Sequence, residues 1–68
     1  MKILIASDFF AEFELIECNN QVNAIDYVKS QGTKNDGIKI LANHDSATEE
    51  HARSMADAVL FTSDILDD

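Results

Sequence analysis

The sequence predicts a small α+β domain, and three observations carry that prediction. A β-branched apolar run, Ile3-Leu4-Ile5-Ala6, opens the chain, and a second stretch, Ala11 to Cys18, alternates apolar and acidic residues. Two later segments, starting near Asn20 and Ser46, repeat apolar residues at helical spacing. Read in order with a further strand between the helices, these give ββαβα: a three-stranded sheet with two helices packed on one face. A small parallel βαβ-type α/β arrangement is the alternative. All 68 residues belong to a single domain, because a chain of this size buries only about 60% of the surface it exposes when unfolded.

Residues 2 to 7 form the first strand, its apolar run suited to burial on both faces. In the second, Phe13 and Leu15 point to one side, and Glu12 and Glu14 to the other. A competing helix would be capped by Ser7, with Phe9, Phe13 and Ile16 on one stripe. From Asn20 the stripe Val22, Ala24, Ile25 and Val28 defines a helix. Asn19 or Asn20 supplies its N-cap, Lys29 suits its last turn and Gly32 suits its C-cap. A turn-rich loop ends at Asp36-Gly37, and Ile38 to Ala42 is the third strand.

Ser46-Ala47-Thr48-Glu49 fits a capping box, in which hydroxyl and carboxylate reciprocally satisfy free backbone donors. The helix it opens carries Ala52, Met55, Ala56, Val59 and Leu60 on its inner stripe and runs to about Phe61. The competing reading makes Asp57 to Ser63 a short strand, since Val59, Phe61 and Thr62 favour extended backbone. The expected core is Ile3, Ile5, Phe13, Leu15, Val22, Ile25, Val28, Ile38, Ile40, Met55 and Val59.

Several chemistries find no support. The opening Met1 to Asp8 resembles the first strand of calcineurin-like metallophosphoesterases, but Phe10 stands where that motif needs a metal-binding His. His44 and His51 are seven positions apart, which matches no helical metal-ligand pair. Ser63-Asp64-Ile65-Leu66 inverts the Asp-Ser-Leu order of acyl carrier proteins. Cys18, the sole cysteine, has no basic cluster to activate it and reads as a small core residue. Lys2, Lys29, Lys34 and Lys39 are too scattered to replace phosphate counterions, so direct nucleic-acid binding is not expected. The expectation is a non-enzyme with no cofactor and no metal. No apolar run reaches the roughly 18 residues of a membrane span, and the lone cysteine suits a reducing, cytoplasmic setting.

Charge is the remaining signal. Thirteen acids against five bases give a net charge of −8, and residues 41–68 alone carry seven acids and one base. If those residues are one helix, at 1.5 Å per residue the acids from Asp45 onward line an element about 35 Å long. That is one acid per roughly 5 Å, against one charge per about 1.7 Å in duplex DNA, so any mimicry of nucleic acid is sparse. The expected docking residues are Asp45, Glu49, Glu50, Asp57 and Asp64, extended by Glu12 and Glu14. In general form the chain is similar to small acidic phage-encoded inhibitors, anti-CRISPR and anti-restriction proteins among them. That likeness implies a non-catalytic module docking on a basic, nucleic-acid-binding surface of a target protein. The alternative is an accessory subunit or homodimer that pairs through a strand edge and an apolar patch, with Phe9, Phe10 and Phe61 as anchors.

Overall fold

Strands β1 (Lys2–Ala6) and β2 (Phe13–Glu17) form an antiparallel hairpin, running from Lys2 opposite Glu17 to Ala6 opposite Phe13. The structure is a computed structural model that describes residues 1–7, 10–30, 37–43 and 48–66. After the hairpin come α1 (Gln21–Lys29), β3 (Lys39–Asn43), α2 (Glu49–Met55), β4 (Ala58–Phe61) and α3 (Thr62–Ile65). The strand order is β3-β2-β1-β4, with β4 parallel to β1 and every other pairing antiparallel. The result is a small mixed α+β domain whose sheet, among the described residues, has four strands instead of the expected three.

The extra strand corrects the reading of the last helix. Helix α2 stops at Met55, and Ala56 is already extended at φ −86° and ψ 143°. β1 explains why. Ile3, Leu4, Ile5 and Ala6 are all 5% exposed or less, so this strand is buried on both faces and needs a neighbour on each side. β2 fills one side; the run Ala58-Val59-Leu60-Phe61 fills the other, in register from Ile3 opposite Ala58 to Ala6 opposite Phe61. Pairing with β1 overrides the helical periodicity that links these residues to α2. The alternative strand reading of residues 57 to 63 is the one realised, over Ala58–Phe61.

The helices also divide between faces instead of sharing one. Ile3, Ile5, Ile16 and Cys18 pack with Ala24, Tyr27 and Val28 of α1 and with Ile65 of α3. On the reverse face Leu4, Ala6, Phe13 and Leu15 pack with Ala52 of α2, and Ala56 and Phe61 flank them. Thus Phe13 and Leu15 lie in a different layer from Ile3 and Ile5, with which they were expected to pack. A sheet apolar on both sides must be covered on both sides. The parallel β1–β4 pair and the two-sided cover bring in part of the α/β alternative.

Local chemistry sets the element ends. The Asn20 side chain accepts from the Asn23 N–H at 3.0 Å and caps α1, as expected. Thr48, not Ser46, caps α2, accepting from the His51 N–H at 3.2 Å; Ser46, like Gly32, lies outside the described residues. The α1 stripe is rotated from the expected one: Val22 is 62% exposed, and Tyr27 is buried. Ile40, Met55 and Val59 also lie at the surface and not in the core. Leu41 is an extra residue in β3, because Leu15 faces Ala42 while Ile16 faces Ile40, and this bulge bends one edge of the sheet.

Candidate docking surface

The topology gathers one end of the molecule. β1 and β4 finish there, β2 begins there, and α2 and α3 start from it. The loop after β1 is closed by its own bonds. The Ser7 N–H donates to the Glu12 carbonyl at 2.8 Å, and the Glu12 N–H donates to Ser7 Oγ at 2.9 Å. The Phe10 N–H donates to the Ser7 carbonyl, which holds Phe10 in the left-handed region at φ +55°. A bulky residue adopts that conformation only when its surroundings enforce it.

Those surroundings are aromatic and cationic. The Phe10 ring meets Phe61 edge-on at a centroid distance of 5.6 Å and Phe13 at 6.3 Å. The Arg53 guanidinium lies 4.3 Å from the Phe10 centroid, and its Nε is 3.2 Å from the Glu49 carboxylate one turn earlier on α2. Phe10 and Phe61 are therefore half-buried partners of one another and not free anchors; Phe9 lies outside the described residues. Each edge-on contact contributes about 0.5–1.5 kcal/mol beyond burial, enough to offset the left-handed backbone of Phe10. Two adjacent phenylalanines after the first strand were the sequence signal for this cluster; the i, i+4 spacing of Glu49 and Arg53 announced their ion pair but not the stack on Phe10.

The seven expected docking residues separate under this geometry. Glu12, Glu49, Glu50 and Asp64 are exposed toward the gathered end, Glu12 in the hairpin loop, Glu49 and Glu50 in the first turn of α2 on one face of the sheet, and Asp64 on α3 on the other. Asp57 sits at the opposite end, where its carboxylate accepts the Lys2 N–H at 2.9 Å and its own N–H donates to the Lys2 carbonyl at 2.7 Å. Glu14 faces α1 and accepts the Tyr27 hydroxyl at 2.8 Å. Asp45 lies outside the described residues. The acids thus do not line a single helix, since α2 spans only seven residues.

The protonation of Tyr27 is clearly displaced. Burial, then the hydrogen bond to Glu14, then the Glu14 charge push its pKa up to about 12. Cys18 is buried, and its thiol donates to the Asn20 carbonyl at 3.2 Å. Among the described residues no three potential ligands converge on a metal position, and no helix is long and apolar enough to cross a membrane. No family model, curated protein or solved structure matches the chain.

Proposed function

We propose that this chain is a non-catalytic acidic binding module that docks on a basic surface of a target protein. The observation that supports it is the exposure of Glu12, Glu49, Glu50 and Asp64 at one end of the fold, on a chain of net charge −8. The Arg53–Phe10 stack joins the loop before β2 to α2, and the Arg53–Glu49 pair extends that contact to the first turn of the helix. Positive surfaces built for nucleic acid are steered toward such a field, and an inhibitor of a nucleic-acid-handling protein is the role this suits.

The test compares two variants of equal charge. Glu49→Gln with Glu50→Gln removes two acids from the gathered end, and Glu17→Gln with Asp26→Asn removes two exposed acids elsewhere. Immobilised protein is presented with host lysate at low and high salt. The expected result is a basic captured protein that is lost at high salt and lost with the first pair of substitutions, while the second pair retains it. Equal loss with both pairs means that only net charge matters and defeats the proposed docking end. Capture that resists salt favours the accessory-subunit reading, which draws on one specific observation: the open β4 edge beside the exposed Val59 and Met55.

A further inference from the structure

The sheet has two edges, and they differ in how they are guarded. β3 carries Lys39 at its start and the Leu41 bulge, two devices that discourage pairing with another chain. β4 has neither: Ala58-Val59-Leu60-Phe61 is uncharged, contains no proline and keeps uninterrupted parallel register with β1. Val59 is 37% exposed, and Met55 of α2 is 39% exposed.

The backbone groups on this edge follow from the ladder. Met1 and Cys18 exchange both backbone hydrogen bonds, so with the hairpin register the odd-numbered residues of β1 bond to β2. The even-numbered residues Lys2, Leu4 and Ala6 then face β4, and Lys2 does so through Asp57. With Leu4 opposite Val59 and Ala6 opposite Phe61, the inward bonds fall to Ala58, Leu60 and Thr62. The Val59 N–H and C=O and the Phe61 N–H therefore point away from the sheet, and among the described residues no strand pairs with them.

We infer that the β4 edge receives an extended basic segment of the target, which adds as a fifth strand through Val59 and Phe61 and lays apolar side chains over Val59 and Met55. The inference rests on the acidic docking reading and names the form of the partner. Charge selects the occupant. The uncharged strand is flanked by Asp57 and Asp64 on a chain of net charge −8, so a second copy is repelled and a lysine-bearing strand is attracted. Backbone pairing supplies affinity, and alternate side chains supply selectivity.

The probe is a synthetic peptide of alternating valine and lysine, titrated into isotopically labelled protein while the amide resonances are followed. Saturable shifts at β4 and slowed exchange of the Val59 and Phe61 amides are expected. A peptide of the same sequence with N-methylated alternate amides keeps its charge but cannot pair, and should bind at least tenfold more weakly. Val59→Pro removes one outward N–H and no inward bond, so it should keep the fold and lose the peptide, whereas Val59→Thr should retain it. Leu60→Pro removes an inward bond and should unfold the sheet, which verifies the bonding alternation independently of binding. If both peptides bind equally, with shifts at Glu49 and Glu50 instead of β4, the edge inference is overturned and acidic docking survives. A valine–glutamate peptide that binds β4 as well as the lysine peptide overturns the basic occupant and the acidic reading together. Self-association at β4, or no binding to β4 at all, also overturns the inference.

Discussion

Glu14 distinguishes a structural acid from a docking acid. Its carboxylate accepts the Tyr27 hydroxyl at 2.8 Å between β2 and α1, and Tyr27 is only 5% exposed. Replacing Glu14 with Ala leaves that hydroxyl without its acceptor, at a cost of about 1–3 kcal/mol when fully buried. The bond is partly buried, so about 1 kcal/mol is the expected loss. In a domain of this size that lowers Tm by about 4–8 °C. Glu14→Gln keeps an acceptor and removes the charge, so it should cost less.

The same pair predicts a pH signature. Tyr27 is raised from 10.0 to about 12, so the neutral phenol is favoured in the folded chain. Its contribution to stability is complete below the unfolded value of 10.0 and is lost as pH climbs through the folded value of about 12. Glu14→Gln should lower the folded value and close that window from above, while burial keeps it over the ordinary value. Ultraviolet titration of the phenolate, with thermal unfolding at matched pH, measures both effects. An unchanged Tyr27 titration in Glu14→Gln would refute the assigned role of the Glu14 charge. Loss of target binding equal to that of the Glu49 and Glu50 substitutions would return Glu14 to the docking set.

Two further substitutions probe the gathered end and its opposite. At Phe10, where φ is +55°, Gly relieves the left-handed backbone and Ala does not, although both remove the ring. Both variants should be less stable than the parent, with Phe10→Ala below Phe10→Gly by about 1 kcal/mol in denaturant unfolding; the reverse order would contradict the backbone conformation. Asp57→Ala removes the acceptor of the Lys2 N–H and should cost about 1 kcal/mol. An unchanged denaturant midpoint would deny its role in seating β4 beside β1.

Much of the architecture was legible because it is local. The alternation of Phe13 and Leu15 with Glu12 and Glu14 places β2, and the N-cap at Asn20 places α1 within a residue. The apolar run of β1 announces burial on both faces. What escaped the sequence was the partner on each side. Ala58 to Phe61 continues the helical stripe of α2 and also suits a strand; the open side of β1, a contact across more than fifty residues, decides between them. Val22 and Tyr27 exchange places for a similar reason. Periodicity counts Val as core, but Tyr27 packs against the sheet and gives its hydroxyl to Glu14.

The acids show the same division. Composition alone determines that the chain carries a charge of −8, and no arrangement of the fold alters that sum. Which acids face solvent together is a tertiary property. Asp57 and Glu14 are taken up by Lys2 and Tyr27, whereas Glu12, Glu49, Glu50 and Asp64 come to one end only because β1 and β4 run parallel and α2 crosses back between β3 and β4. Hydrophobic spacing is written in neighbouring residues, so the sequence determines β1, β2, β3, α1, the start of α2 and the total charge. Strand pairing and the choice of face depend on distant residues satisfying one another's backbone and apolar surface, and only the folded chain decides those.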